Sequence, residues 1–456
     1  MKIVVCIRLG PDGEPGPFDA CAYEAALRIE GAEITLLSMA GEAAKEPLLR
    51  LTRLGAQRAV LLSDRAFAGA DTLATAKTLA AALKRLSPDL VITGRQTLIG
   101  DTAQTGPMLA VLCGYPMITN VMSVDRVDAG ITCTTRTEGQ RHAPFPALIT
   151  VERFLSLRFP RLRSRMGELT VWNAAELGLS PDGVGLAGSP TRVLRTFENQ
   201  SGRRKCKMIR REALPEVISE ALAAYRTVGA SPSPSPERLS RLCTVGEAPM
   251  EFAKSVSDDI TVIPMTDAAT VAEAIAALAP SAVLWGSDAP AKQMAAEVAA
   301  RLSLGLCADC TRLEAENGAL MMYRPALSGS TVAKIKSLTR PAMATVRTAS
   351  EGHTDVVVGL GYGVKDELAR AMKFAEALGA ETVASRKLVD NGYLPYEMQL
   401  GLTGKTLSPP VYIAIGISGA VHHTVGMQGA ATVIAINPDK DAPIFDYADF
   451  GIIENF

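Results

Sequence analysis

Aromatic residues are scarce in this chain. Two tryptophans, nine tyrosines and eleven phenylalanines make up 5% of 456 residues. They do not alternate with basic residues, which excludes a stacking platform for nucleic acid. No sign of charge dominates either: 47 Lys and Arg oppose 48 Asp and Glu, for a formal net charge of -1 and a pI near 6.5. Such a balance provides no global basic field for nucleic acid or an anionic membrane. Long apolar runs are missing. VYIAIGISGAV (Val411–Val421) falls well short of the roughly 20 residues of a bilayer span. The start, MKIVVCIRLG, lacks an apolar core and a small-residue cleavage site, so it reads as a first strand rather than a secretory signal. The four histidines form no H-E-x-x-H, and no G-x-S-x-G occurs, which argues against a metallohydrolase and an α/β-hydrolase elbow. Eight scattered cysteines fit reduced thiols in the cytoplasm better than a disulfide framework.

What remains is a chain able to bury sizeable cores, 48% hydrophobic with mean hydropathy +0.16, and long enough for two or three domains. Short β-branched runs alternate with helical stretches in its first third. Ile3–Ile7, Glu33–Leu37, Ala59–Leu62 and Leu90–Thr93 read as strands. Phe18–Ile29, Glu42–Leu54, Thr72–Leu86 and a segment from Ala103 read as helices. This alternation predicts an α/β fold of parallel-sheet, Rossmann-like domains, with ligands at the carboxyl ends of strands. From Val151 the pattern turns irregular. An arginine-rich arm, RFLSLRFPRLRSRM, reads by itself as a solvated loop. The turn-rich GLSPDGVGLAGSPTRV reads as a linker around the first domain, and TVGASPSPSPERL as an extended boundary. LSPDLVITG (Leu86–Gly94) is echoed by LAPSAVLWG (Leu278–Gly286), as a duplicated α/β domain would produce. A third α/β unit begins near Arg324, with strands at Asp355–Gly359 and Glu381–Ala384 around a helix at Lys365–Leu378.

Several loops at strand ends carry candidate chemistry. GLGYGV (Gly359–Val364) follows a strand and precedes a helix, where glycines let backbone N–H groups approach a phosphate; a tight strand–helix turn explains it equally. In GRQTLIGDTAQTG (Gly94–Gly106), Asp101, Thr102, Gln104 and Thr105 serve either as helix caps or as contacts to a nucleotide phosphate. Gly69–Thr72 is an ordinary N-cap sequence. CADC (Cys307–Cys310) lacks a second ligand pair for zinc and is read as two small core residues ahead of a thiol redox pair. GISGAVHH places His422 and His423 after a Ser–Gly–Ala turn, at either a capped helix start or a ring-binding edge.

Taken together, these segments resemble the electron transfer flavoproteins. SRKLVDNG, QLGLTGK, GISGAVHHTVGM and AINPDKDAPIFDYADFGI match, in order, the runs of that family's α-subunit FAD domain. PFDACAYEAALRI, GADTLATA, GRQTLIGDTAQTGPMLA and the arm match its β subunit. Between them, Pro215–Met322 is similar to an abbreviated α-subunit first domain. The resemblance implies a natural β-then-α fusion in place of the usual heterodimer. Its expected divisions are a β-like nucleotide-binding domain with its arm over 1–214, the abbreviated domain over 215–323, and the FAD-binding domain over 324–456. It implies that Ser385, Arg386, Thr403, Gly404, Lys405, Ile417, Ser418, Gly419, His423, Asn437 and Asp439 contact FAD. It also implies that His423 bonds the flavin's pyrimidine edge, and that Thr403, Ser418 and Arg386 tune the ring. AMP, or a second FAD, is expected in the β-like domain through Asp101, Thr102, Gln104 and Thr105. Leu162 is implied as the anchor for a flavin-containing dehydrogenase of the acyl-CoA dehydrogenase type, as in fatty acid oxidation. A second redox protein would complete the transfer, and the FAD domain would swing on a hinge near Arg324. Three positions depart from the family at the ring face: Tyr362 stands for an arginine, Leu402 for a glutamine, and His422 for the glutamine of a Gln–His pair. In the β-like domain Gly16–Pro17 replaces Asn–Pro. Without the arginine's counter-charge the first reduction potential should be low and a one-electron-reduced anionic flavin poorly stabilised. Two further readings are a bifurcating relative that oxidises NADH at a second FAD, and a nucleotide-binding module without electron transfer.

Overall fold

The computed structural model describes residues 1–97, 102–136, 138–198, 204–228, 234–326, 331–347, 354–401, 405, 407 and 409–456. The chain forms two compact units: Met1–Arg195 with Pro234–Arg324 and Lys334–Arg347, and Thr196–Ser233 with Pro325–Ala333 and Thr348–Phe456.

Among the described residues, two sheets built mainly on parallel strands lie within the first unit. In the larger, Lys2–Cys6 lies between Glu33–Met39 and Leu90–Gly94 in parallel register. Arg58–Leu62 and Glu168–Trp172 extend one side, and Ala147–Val151 and Met117–Val127 the other. Antiparallel strands Gly130–Thr135 and Gly139–Pro144 finish that edge. The central strands are continuous apolar runs because helices cover both faces. Chain direction across the sheet reverses between Lys2–Cys6 and Leu90–Gly94, which makes the ends of these strands a switch point. Local chemistry sets the helix limits. Thr72–Leu86 matches its expected bounds, and its N-cap Asp71 accepts from the Ala74 N–H at 3.0 Å. The helix expected from Ala103 begins only at Thr105, because Ala103 has φ +53°, a left-handed conformation that no α-helix continues. Glu42–Leu54 is a short helix, Lys45–Leu51, flanked by 3-10 turns.

The second sheet is wholly parallel, in the order Ile260–Ile263, Leu242–Val245, Ala282–Trp285, Ala342–Val346, Leu306–Cys310. Its alanine-rich helix Ala289–Leu302 packs on Thr105–Cys113 of the first sheet. Leu73, Ala76 and Met108 therefore share one core with Val298, Ala299 and Met343. Alanines on the Ala289–Leu302 helix (Ala295, Ala296, Ala299) leave room there for Met108, and the two sheets form one unit through this contact. The internal echo is also geometric. Ser87 and Ala279 end equivalent helices in the left-handed conformation, at φ +47° and +44°, each just before a proline and a strand. Asn120 and Asp309 repeat the correspondence at φ +55° and +54°. Cys307 and Cys310 are buried free thiols within a strand, the core residues they were read as.

The second unit contains one parallel sheet in the order Lys207–Met208, Phe450–Ile452, Thr432–Ile436, Val411–Ile415, Val356–Leu360, Glu381–Ala384. Ala342–Val346 pairs with Ala282–Trp285 in the first unit, while Pro325–Ala333 and Thr348–Phe456 belong to the second. Lys207–Met208 adds to Phe450–Ile452. Leu214, Val217 and Ile218 share a core with Val358 and Ile413. The segment around the expected 214/215 boundary therefore packs on the C-terminal sheet. Strand and helix periodicity identify which face is buried but not which distant sheet receives it. Among the described residues, no helix is long and apolar enough to cross a membrane.

Candidate functional site

A cleft opens in the second unit, at its own switch point. Taken in chain order, the strands from Val356–Leu360 onward stand 2-1-3-4-5 across the sheet, and ligands in such sheets bind between the ends of the first and third. There the loops Gly361–Gly363 and Gly416–Ala420 flank a cavity of about 630 Å³. Tyr362, Ser385, Arg386, Ile417, Ser418, His423, Asn437 and Asp439 line it. The loops are braced internally. Asn437 Nδ2 donates to the Ile417 carbonyl at 2.9 Å, and Asn437 Oδ1 accepts from the Asp439 N–H at 3.0 Å. Lys405 is elsewhere occupied, its Nζ 3.2 Å from Glu381, and does not line the cleft. Leu402, Thr403 and Gly404 lie outside the described residues, as does the side chain of His422.

A flavin dinucleotide fits this cleft on two observations. Buried polar atoms are left for a ligand: among the described residues, Ser385 Oγ and His423 Nδ1 have no partner. The cradle also requires bare backbone. A Cβ on Gly361 would lie 1.9 Å from the Gly416 oxygen, and one on Gly419, at φ +91°, 2.1 Å from the Ile444 nitrogen. Ser385, Ser418 and the loop N–H groups would hold the dinucleotide, which supplies reversible one- and two-electron chemistry when bound.

His423 is 7% exposed, and its Nε2 lies 2.9 Å from the Tyr412 hydroxyl. Burial holds its pKa down at about 4, so the ring is neutral at physiological pH, whereas an unfolded histidine protonates near 6.5. The stabilising contribution is complete above about pH 6.5 and declines as pH falls towards 4. By then the loss is on the order of 3 kcal/mol. Melting temperature followed across that range should show an acid sensitivity that His423→Gln removes; equal slopes for the two proteins would contradict this.

The ring-face departure has a defined setting. Tyr362 packs edge-on to Tyr393, centroids 6.2 Å apart, and Lys387 Nζ lies 4.2 Å from the Tyr362 ring centre. Arg386 is bonded to Asp390 at 3.0 Å. Gly363 and Gly416, which belong to the runs GLGYGV and GISGAVHH, also line the cleft, as do Lys387 and Leu400, which had no individual role from sequence. Lys387 is the second residue of the short helix Arg386–Asp390, and nothing local marks it.

A smaller cavity of about 260 Å³ occupies the switch point of the first unit, between the loop after Lys2–Cys6 and that after Leu90–Gly94. Gln96 and Thr97 line it from the second loop, and Thr102, Gln104 and Thr105 do not. Asp101 lies outside the described residues. Burial pushes the Asp19 carboxyl up to about 7 against the pull of the Arg8 N–H. Gln104 is 1% exposed, with neither amide atom partnered among the described residues. Glu152, also buried, faces Arg95 at 3.1 Å and Arg136 at 3.8 Å.

The arginine-rich arm is fastened at its base. Arg158 bonds Glu24 through Nε and an Nη at 2.9 and 2.8 Å. Burial would raise the Glu24 pKa, but its bonds to Arg158 and Arg28 prevail and hold it below the usual range. Beyond the anchor, Phe159 and Leu162 are 93% and 96% exposed.

Comparison with known proteins agrees with this geometry. The family profile described as Electron transfer flavoprotein domain matches residues 3–177 and 258–351, more than half of the chain. The Electron transfer flavoprotein FAD-binding domain matches residues 352–428. The chain is 32% identical to the electron transfer flavoprotein subunit alpha of Mycobacterium leprae, over 53% of this chain and 90% of that protein. It is 36% identical to Protein FixA of Sinorhizobium fredii, over 49% of this chain and 93% of the relative. It is 34% identical to Protein FixB of Bradyrhizobium diazoefficiens, over 45% and 69%. With α/β parallel sheets throughout and an FAD-binding domain at its C-terminal end, the chain belongs to the electron transfer flavoprotein family.

Proposed function

We propose that this chain is a natural fusion of the family's two subunit types. Through FAD it carries electrons from a flavin dehydrogenase of the acyl-CoA dehydrogenase type to a second redox protein. The observation that carries the reading is one of coverage: a single chain takes in 93% of a FixA protein and 90% of an alpha subunit. The exposed arm supports docking to a dehydrogenase at Leu162. Three family domains remain the proposed organisation, over 1–214, 215–323 and 324–456, with the hinge near Arg324, where the first unit gives way to Pro325–Ala333 of the second. Ser385, Arg386, Ile417, Ser418, Gly419, His423, Asn437 and Asp439 are the proposed FAD contacts, with Thr403, Gly404 and Lys405 carried over by resemblance alone.

For the β-like domain we propose AMP, with Asp101, Thr102, Gln104 and Thr105 as the contacts the resemblance implies. Gln104, buried with neither amide atom partnered among the described residues, supports a polar ligand there. An absorption spectrum of the purified chain, with extracted nucleotides identified, tests the whole reading. One FAD and one AMP per chain is the expected result. Two FAD with bleaching by NADH would replace it with a bifurcating role, and a colourless protein that takes up no FAD with a binding module lacking electron transfer.

Tyr362 carries the redox proposal. Replacing a fixed guanidinium by a phenol removes a counter-charge from a low-dielectric face, and Lys387 stands on an exposed rim where water screens it. The first reduction potential should rise in Tyr362→Arg. A titration in which the unaltered chain already accumulates a red one-electron form would refute this.

A further inference from the structure

We propose that Tyr412 is a positioning residue that holds His423 in the tautomer carrying its proton on Nδ1, so that the imidazole meets its ligand as a hydrogen-bond donor. The proposal rests on the FAD reading for the identity of that ligand, but the tautomer itself belongs to the protein alone.

Tyr412 lies at the centre of the strand Val411–Ile415, 0% exposed. Its hydroxyl is 2.9 Å from His423 Nε2, and among the described residues this is the one hydrogen bond recorded for it. A buried phenol must place its hydrogen on an acceptor. Nε2 accepts only when it carries no proton, which puts the proton of the neutral ring on Nδ1. The opposite arrangement, Nε2–H donating to the phenol oxygen, would strand the phenolic hydrogen in the core. An unmade buried bond of this kind corresponds to a bias of about tenfold or more.

Room for the phenol is built into the neighbouring strand. A Cβ on Gly359 would lie 1.7 Å from the Tyr412 hydroxyl oxygen, so the first glycine of GLGYGV makes space for Tyr412 rather than for a phosphate. At the other end of the relay, His423 lines the cleft, and its Nδ1 is buried with no partner among the described residues. A donor there selects an acceptor on the ligand, such as a carbonyl oxygen of the flavin's pyrimidine edge. Such a bond strengthens as negative charge gathers on that oxygen. The strand therefore sets the polarity of the contact from behind, through a residue that does not line the cleft.

The test is ¹⁵N–¹H correlation spectroscopy of ¹⁵N-histidine-labelled full chain without added cofactor, with the His423 signal identified by its loss in His423→Gln. The expected result is the Nδ1–H tautomer in the unaltered protein and a mixture or a switch to Nε2–H in Tyr412→Phe. FAD binding to Tyr412→Phe should be about fivefold weaker. Nε2–H in the unaltered protein overturns the proposal, as does an unchanged Nδ1–H in Tyr412→Phe. Should Tyr412→Phe fail to fold, the spectrum of the unaltered chain still decides. Should that chain take up no FAD, the cofactor reading fails while the tautomer remains measurable.

Discussion

Gly361→Ala should cost the C-terminal unit its cofactor. The backbone at Gly361 has φ -94°, open to any residue, so the penalty is not local strain. It comes from the partner loop. The new Cβ would stand 1.9 Å from the Gly416 oxygen, 2.3 Å from its carbonyl carbon and 2.6 Å from the Ile417 nitrogen. All three are backbone atoms, with no side chain to turn aside. Two hydrogen bonds also hold the loops together there: Gly361 N–H to the Ile415 oxygen at 2.8 Å, and Gly363 N–H to the Gly416 oxygen at 3.1 Å. Accommodation requires the two loops of the switch point to part. Overpacking of this kind costs about 3 kcal/mol, equivalent to about a hundredfold in FAD affinity if it falls on the bound state. Flavin titration of the purified variant, read beside its melting temperature, would sink the cradle argument if it returned ordinary affinity.

Leu162→Glu should have the opposite signature, with the chain intact and its partner lost. Leu162 is 96% exposed and Phe159 93%, so neither contributes to the core. A charge there should change stability by less than about 0.5 kcal/mol. An apolar anchor of a docking site is typically worth about 2 kcal/mol, close to a thirtyfold loss. Electron transfer from an acyl-CoA dehydrogenase that reduces the unaltered chain should fall by about that factor. The FAD spectrum and the melting curve should not move. Because Glu24 holds the arm through Arg158, the anchor's loss is not expected to displace the arm. Unchanged transfer by Leu162→Glu would remove the arm from the docking surface.

The two variants probe features of very different legibility. Leu162 could be singled out only through the resemblance, since an arginine-rich stretch otherwise reads as a solvated loop. The glycines of GLGYGV were visible as turn residues, but their separate purposes were not. Gly361 admits the Gly416 loop and Gly359 admits a phenol, and both neighbours are more than fifty residues away. His423 was singled out for its place after a small-residue turn, whereas Tyr412 passed as one more strand residue. Lys387 sits on a helix whose pattern gives no reason to notice it.

By itself the sequence determined the α/β class, the alternation of strands and helices, the internal echo and the glycine-rich loops at strand ends. Each of these is written locally, as a burial period, a cap or a turn. Tertiary structure alone decided which sheet each segment joins. Ala342–Val346 returns to the middle sheet, and Lys207–Met208 and the helix after it go to the last one. It also decided that a tyrosine would stand behind His423. A strand carries the same apolar run whichever neighbour it pairs with. Its partner is selected by packing across the whole unit, a choice that no local window of sequence contains.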